Sequence, residues 1–366
     1  MRSIRLLALC CALAVTLSSW GKKNKEDETQ TLQIPRDLPA ALTADTRRLA
    51  FQVTPLSARG LLSQQTRDAL KWLLHANGGV IVKLRAFVAG SGDLRRVREL
   101  VSETLTDRRA PLPVLSVVQV GGLPLEGAQV VMESTAVTKK EVNDYGLVYI
   151  SGQGATSANP LEAVLPLAQQ SLAHLATAVK AAGSEPNDVV RVTCFLSSLG
   201  QVTEVRGLVS ASYSSAALNI VQIQRAPTRA IAECEAVARL RWNTGTAVHM
   251  LNPDGLASSA QFSQVALVGA EKLILTGSQE AFGFQDADAR LAFTRLQRAL
   301  AGEGGSFHQV AFASLYPLSS SISEQVRKIR SEFYDHARPP AGTMLSFEGL
   351  PSMDAGFAMD VVAVKE

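Results

Sequence analysis

The sequence lacks most of the side-chain arrangements that identify common enzymes. Its 366 residues contain only five histidines, which are scattered, and no two of them have the spacing of metal ligands. A Ser/His/Asp set, a phosphate-binding P-loop and a Cys-x-x-Cys motif are all absent from the sequence. We therefore predict no metal site and no cofactor.

A strong charge of either sign is also missing. The 36 basic and 33 acidic residues give a formal net charge of +3, which leaves no basic footprint for a nucleic acid. Hydrophobic residues make up 46% and charged residues 19%, so the chain can bury real cores and wholesale disorder is excluded. The length predicts about two or three domains.

Residues 1–21 have the order of a secretory signal peptide. Basic residues come first, an apolar run follows at 6–17, and small residues surround Trp20. The run is too short to span a bilayer comfortably. We predict export to a periplasmic or extracellular location, with no stable membrane span after cleavage. A lipoprotein anchored through Cys10 and an uncleaved membrane-proximal anchor are the alternatives.

Cysteine is scarce, and two of the four residues lie in this signal segment. Cys194 and Cys234 remain, both on predicted strands. A disulfide between them would fit an oxidising compartment, whereas two buried free thiols would behave as small apolar residues. The sequence leaves both alternatives open.

The middle of the chain has a regular order of strands and helices. The apolar strand at 147–154 runs into Ser151-Gly152-Gln153, and helices are predicted at 167–183 and 202–213 from apolar residues three and four apart. Strands rich in Val and Ile are predicted at 188–196, 219–224 and 231–240. This segment, residues 138–245, is called unit 2.

The same order occurs before and after unit 2, after a polar linker at 22–45. Unit 1 spans 46–137 and unit 3 spans 250–366, which makes a tandem repeat. Matching residues in the three units are the strand valines Val82, Val190 and Val310, the prolines Pro124, Pro227 and Pro351, and the acids Glu133, Glu235 and Asp360. We predict an α+β fold in which each unit is a mixed sheet with two helices on one face.

This order resembles the RidA/YjgF family, also called endoribonuclease L-PSP-like, most clearly over residues 146–240. Its members are small trimeric proteins that hydrolyse reactive imines and enamines. The resemblance implies a chorismate-mutase-like fold whose free sheet faces meet around a central barrel. Three units in one chain would then form an intramolecular pseudo-trimer, so that assembly would not depend on protein concentration and the chain would act as a monomer.

The resemblance also implies ligand clefts between neighbouring units. Family members hold the substrate carboxylate with an arginine at the start of the penultimate strand, because a guanidinium matches a carboxylate bidentately. The matching positions are Leu115, Leu218 and Gly342, so all three units have lost this arginine. An apolar residue such as Leu218 indicates a less ionic cleft.

Other family positions carry over residue by residue. The proton-handling glutamate of the last strand corresponds to Glu233, our predicted catalytic residue, and to Val131 and Ala358 in the other units. The predicted ligand-binding residues are Ser151, Gly152, Gln153, Leu218, Phe262 (where the family has an early tyrosine), Arg229 and Arg338.

Each of these residues also has a structural interpretation. Arg229 and Arg338 could reach a cleft from shifted positions or be surface arginines on loops. Glu233 could be a partnered strand acid. Ser151-Gly152-Gln153 could be a turn in which glycine supplies a positive φ.

Two functions follow. We favour a divergent member that binds a small molecule or a partner in its clefts. A charge-assisted contact contributes roughly 1.5–3 kcal/mol, so losing the arginine should weaken carboxylate recognition at least about tenfold. The alternative is an imine or enamine deaminase, a hydrolase that releases ammonia, and the sequence leaves enzyme status open.

Overall fold

The computed structural model describes residues 34–76, 78–257 and 259–365. The predicted signal segment and residues 22–33 of the linker lie outside the described residues. No helix in the described part of the chain is long and apolar enough to cross a membrane.

The elements alternate in the predicted α+β order. The strands are β1 (Ala41–Asp45), β2 (Leu49–Val53), β3 (Val80–Ala89), β4 (Val114–Val120), β5 (Val130–Val137), β6 (Leu147–Ser157), β7 (Val189–Leu196), β8 (Ala217–Gln222), β9 (Ala230–Arg239), β10 (Val248–Leu251), β11 (Val265–Val268), β12 (Lys272–Thr276), β13 (Gln279–Phe282), β14 (Val310–Pro317), β15 (Ala341–Met344) and β16 (Ala355–Lys365). The helices are α1 (Leu62–Ala76), α2 (Leu94–Asp107), α3 (Val164–Ala181), α4 (Val202–Ser212), α5 (Asp286–Gly302) and α6 (Ser320–Arg330).

Three mixed sheets confirm the predicted fold class. Their strand orders are β2-β5-β3-β4, then β10-β11-β6-β9-β7-β8, then β1-β12-β16-β14-β15 with β13 also on β16. In each sheet one central strand pairs parallel with one neighbour and antiparallel with the other: β3 with β4 and β5, β7 with β8 and β9, and β14 with β15 and β16. Each unit therefore supplies the same core of three strands.

The registers make the three units equivalent residue by residue. Each central strand carries a β-bulge near its start, and the bulges lie at Val82, Val190 and Ala311. The proposed match of Val310 with the first two valines was therefore wrong by one residue. Beyond the bulge the register confirms the match of the three acids, because Glu133, Glu235 and Asp360 all stand at one equivalent position.

Two strand exchanges cross the predicted unit boundaries. β1, from the predicted linker, pairs with β12 of unit 3. β11 of unit 3 pairs with β6 of unit 2, and β10 pairs with β11. The ranges 22–45, 138–245 and 250–366 therefore do not coincide with the sheets, because strand pairing joins residues distant in sequence.

Each sheet packs its helices on one face and the other two sheets on the opposite face. Separate apolar cores lie under the helices of units 1, 2 and 3. Two further apolar clusters combine residues of all three units: Phe51, Tyr149 and Phe312 meet in one, and Phe195 and Phe347 belong to the other. The inner faces thus meet at the centre of one chain, as the resemblance implied.

Candidate functional site

Units 2 and 3 enclose a cleft of about 200 Å³ where β6 faces β15, here called the 2–3 cleft. Two hydrogen bonds fix this junction. The backbone N–H of Gly342 donates to Oγ of Ser151 at 2.8 Å, and the N–H of Gly152 donates to Oγ1 of Thr343 at 3.1 Å. Residues lining the cleft include Gly152, Glu233, Phe262, Arg327, Arg330 and Gly342.

Ser151 and Gln153 support the cleft without lining it. Ser151 is buried, and its Oγ also donates to the carbonyl oxygen of Ser263 at 2.6 Å. Gln153 is buried too, and its Nε2 donates to Oε1 of Gln264 at 2.7 Å. Both side chains therefore fasten β6 to the segment before β11, and of the predicted turn only Gly152 borders the cleft.

Gly152 is needed for close approach and not for its backbone angle. Its φ is not among the positive glycine angles of the chain, so the predicted turn explanation was wrong. A Cβ added at position 152 would lie 2.0 Å from Oε1 of Glu233, and one at Gly154 would lie 2.8 Å from Oε2. The two glycines thus make the space that the Glu233 carboxyl occupies.

Glu233 is a half-buried acid on β9 at the wall of the cleft. Burial and, to a lesser degree, the charge of Glu235 raise the pKa of its carboxyl to about 8, while Arg229 acts in the opposite direction. None of the described residues donates a hydrogen bond to this carboxyl. Glu233 is therefore a neutral acid near pH 7, and a group of this kind can donate a proton or a hydrogen bond.

Arg330, at the end of α6, brings a buried cation to the same cleft. It is 7% exposed, and its Nη2 donates to Oε1 of Gln261 at 3.1 Å. Its Nε is buried without an acceptor, and no described carboxylate forms an ion pair with it. Burial lowers the pKa of this guanidinium, with Tyr334 acting in the opposite direction and Arg327 adding to the lowering.

A second cavity of about 470 Å³ adjoins the first and shares Arg327 and Met344 with it. Arg229 lines this cavity, together with Glu324 of α6. Arg229 therefore borders the adjoining cavity and not the 2–3 cleft, and its charge lowers the pKa of Glu233.

The remaining predicted residues lie in different places. Phe262 lines the 2–3 cleft. Leu218 lines another cavity, of about 450 Å³, between β2 of unit 1 and β8 of unit 2, where Val131 and Trp72 also lie. Arg338 is exposed and forms an ion pair with Asp335, Nε to Oδ2 at 3.2 Å, and it does not line either cleft.

The registers show that the three positions matched to the family arginine are equivalent in the three units. Leu115, Leu218 and Gly342 pair with equivalent residues of the three central strands. The cleft between units 1 and 2 therefore has a leucine at this position and a valine, Val131, at the position of Glu233. The 2–3 cleft has a glycine and keeps the acid, so the two clefts differ in chemistry.

Sequence reasoning missed Arg327 and Arg330. A signal was present, because each second helix carries a Val-Arg pair followed by Leu or Ile and then Ser. The three segments are 97–102, 205–210 and 326–331. Their arginines are Arg98, Arg206 and Arg327, and the last two line the inter-unit cavities.

A second polar site lies at the molecular centre, between the two apolar clusters shared by the units. Its side chains come from all three units and form two hydrogen-bonded groups. Lys83, Ser116 and Tyr316 surround Asp360, while Arg85, Thr193 and Asn219 surround Glu133, with Arg85 also bonded to Glu235 and Arg191 near both acids. The space among them is about 20 Å³, enough for one water molecule. Its contacts thus tie the units together, and it is too small for an organic ligand.

Among residues 34–76, 78–257 and 259–365, no group of three or more His, Cys, Asp and Glu side chains could hold a metal ion.

Cys194 and Cys234 face each other on β7 and β9 and form a disulfide, which resolves the alternative that the sequence left open.

The middle of the chain is similar in sequence to a known protein family. Residues 139–242 match the family model described as endoribonuclease L-PSP. Similar solved structures include a Rid-family protein of unknown function from Yersinia pestis, with 15% identity, 32% of this chain and 99% of that chain covered, and a TM-score of 0.29. A YjgF-family protein from Neisseria meningitidis has 16% identity, covers 32% of this chain and 95% of its own, and has a TM-score of 0.25. A YjgF-family member from Mycobacterium tuberculosis has 18% identity, 32% and 98% coverage, and a TM-score of 0.24. A comparison with curated proteins found no match.

Proposed function

We propose, from the membership of residues 139–242 in the endoribonuclease L-PSP (RidA/YjgF) family, that this protein binds a small molecule in the 2–3 cleft. The proposal depends on the carboxyl group of Glu233, which lacks a hydrogen-bond partner among the described residues. Its carboxyl borders a cleft of about 200 Å³ and receives no hydrogen bond from any described residue. A half-buried polar group without a partner favours a ligand that supplies one.

The loss of the family arginine supports binding over turnover. At its position in this cleft stands Gly342, which has no side chain to hold a substrate. The cleft between units 1 and 2 lacks both groups, because Leu218 and Val131 replace them. The 2–3 cleft is therefore the site that we propose for the ligand.

Met344 lines the 2–3 cleft and provides a direct test. The protein is labelled with ¹³C at its methionine methyl groups and titrated with a library of small neutral and charged compounds. A ligand in the cleft should shift the Met344 resonance, identified by Met344→Leu, equally in wild type and in Glu324→Ala, which alters only the adjoining cavity. The buried Met132 and Met359 should stay unchanged as internal controls. If no compound of the library shifts Met344, the proposal is wrong.

The second candidate function is imine or enamine hydrolysis, favoured by the raised pKa of Glu233, about 8. A neutral Glu233 would donate its proton to the imine nitrogen while its other oxygen takes a proton from the attacking water. This addition gives a carbinolamine and returns a proton to Glu233. Glu233 then donates that proton to the amino nitrogen and takes the hydroxyl proton of the carbinolamine, so that the C–N bond breaks, ammonia leaves and a carbonyl product remains with Glu233 neutral again.

Ammonia release from a freshly generated 2-imino acid tests this second function. The chain from residue 22 is compared with its Glu233→Gln variant and with an active family member. Turnover above background that the variant loses would establish hydrolysis and overturn simple binding. Background rates beside an active family member would exclude the hydrolase.

We also propose that the protein is exported and acts as a monomer. The Cys194–Cys234 disulfide supports export, because disulfides persist in oxidising compartments. The inner sheet faces are covered within one chain, which supports the monomer. Cell fractionation and light scattering on the purified protein test the two points, and a cytoplasmic location or a stable oligomer would contradict them.

A further inference from the structure

Unit 3 carries a charged residue where the other units bury valine. Within the repeated Val-Arg segments of the second helices, Arg330 follows Val326 by four residues. The equivalent residues are Val101 in unit 1 and Val209 in unit 2, and both are fully buried. The fold therefore fills this position with an apolar side chain twice and does not need an arginine there.

The guanidinium of Arg330 has few hydrogen-bond partners among the described residues. Gln261 Oε1 is its only hydrogen-bond acceptor among the described residues, and its buried Nε has none. Another cation, Arg327, acts on Arg330, and no described acid forms an ion pair with either residue. A buried cation without a counter-charge is destabilising, so a position of this kind favours an anionic ligand.

The cleft itself does not supply the missing negative charge. Glu233 is held neutral near pH 7, because burial raises the pKa of its carboxyl to about 8. It therefore neither neutralises Arg330 nor repels an anion. Gly342 lines the same cleft without a side chain, and the volume of about 200 Å³ limits the ligand to a small molecule.

We infer that Arg330 binds the carboxylate group of the ligand in the 2–3 cleft, so that the anion-binding arginine lies on helix α6 and not on the strand. The inference rests on the proposed function, which supplies the ligand. A carboxylate is favoured because a guanidinium presents two parallel N–H groups in the plane of its oxygens. Glu233 then donates its proton as a hydrogen bond to a second polar group of the ligand.

Propionate and propionamide are matched probes, because they have the same shape and differ in charge. Each is titrated into the ¹³C-methionine-labelled wild type at pH 7, and the Met344 shift gives its Kd. A charge-assisted contact predicts at least about tenfold tighter binding of propionate. In Arg330→Val, the residue that unit 2 has at this position, this preference should disappear.

Arg298→Val is the matched control, since Arg298 is an exposed arginine of the same unit, on α5. It removes one positive charge and should keep the preference for propionate. Thermal unfolding of Arg330→Val should occur at or above the wild-type temperature, which separates loss of binding from loss of fold.

The inference is overturned if Arg330→Val binds propionate as tightly as wild type, or if propionamide binds wild type as tightly as propionate. It also fails if neutral library compounds shift Met344 and propionate does not, while the cleft itself remains the binding site. Absence of any Met344 shift with any compound would reject the cleft and the anion site together.

Discussion

Arg85 of unit 1 donates through Nη2 to Oε1 of Glu235 of unit 2 at 2.6 Å, and both side chains are almost completely buried. The same guanidinium donates through Nε to Glu133 of its own unit at 2.8 Å. One cation thus joins two acids that the repeat places at equivalent positions. Lys83 makes the corresponding link from unit 1 to Asp360 of unit 3.

Replacing Arg85 by methionine should destabilise the protein by about 3–5 kcal/mol, because two buried carboxylates lose their shared counter-charge. Urea unfolding followed by circular dichroism measures the change. Arg95→Met is the matched control: Arg95 is exposed beside Asp93, and exposed pairs contribute about 0–1 kcal/mol. If the two variants lowered the free energy of unfolding equally, the central ion pairs would stabilise the protein no more than an exposed pair does.

Acid should weaken the same centre. Burial would raise the pKa of Asp360, but Lys83 and a hydrogen bond from Ser116 lower it below its usual value, and Arg85 and Arg191 similarly lower the pKa of Glu133. The folded state thus binds fewer protons than the unfolded state. The stabilisation is complete above the unfolded pKa of about 4 and is lost as the pH falls through the lower folded values.

Unfolding temperatures between pH 7 and pH 2.5 check this dependence. The double variant Lys83→Met/Asp360→Asn removes one acid while keeping the net charge of the site, so its curve should fall less steeply below pH 4. A double variant as acid-sensitive as the wild type would contradict the prediction.

The charged centre was partly predictable from sequence. The acids Glu133, Glu235 and Asp360 share one strand position, and a repeat around an axis brings equivalent residues together. Their cationic partners were not, because Lys83 and Arg85 have no basic counterpart at the equivalent strand positions apart from Arg191. Only the packing of three different units shows which cation meets which acid.

The strand exchanges and the proposed role of Arg330 were harder to predict from the sequence. Local patterns predict that β11 and β12 form strands, but the pairing of β11 with β6 depends on contacts between residues over 100 positions apart. Arg330 follows a helical pattern that is equally typical of a solvated helix face. The interpretation of Arg330 as an anion-binding residue depends on its burial and on the valines at the equivalent positions. Burial can be read only from the structure.

Glu233 should give the opposite pH dependence from the central acids. Burial raises its pKa to about 8, so between about pH 4.5 and pH 8 the folded state binds more protons than the unfolded state. Its contribution to stability therefore decreases as the pH rises through this window. The difference in unfolding free energy between wild type and Glu233→Gln should decline from pH 5 to pH 8, and a flat difference would show an ordinary carboxyl.

The disulfide predicts a chemical result. In the chain from residue 22, produced in an oxidising compartment and denatured without reductant, Cys194 and Cys234 should stay unmodified by iodoacetamide. Reduction should then expose two thiols by intact mass. The variant Cys194→Ala/Cys234→Ala should lose about 2–4 kcal/mol of stability, because the unfolded chain loses a cross-link. Alkylation of both thiols without reduction would contradict the disulfide.

Gly152 and Glu233 should be energetically coupled. A Cβ at position 152 would lie 2.0 Å from Oε1 and 2.9 Å from Cγ of Glu233, so Gly152→Ala must displace that side chain at a cost of about 1–3 kcal/mol. In a Glu233→Ala background the displaced atoms are absent, and the same substitution should cost much less. A double-mutant cycle by urea unfolding measures the coupling. Gly207→Ala is the control, because a Cβ there meets no atom within 4 Å. If Gly152→Ala costs the same in both backgrounds, the glycine does not serve to make room for the acid.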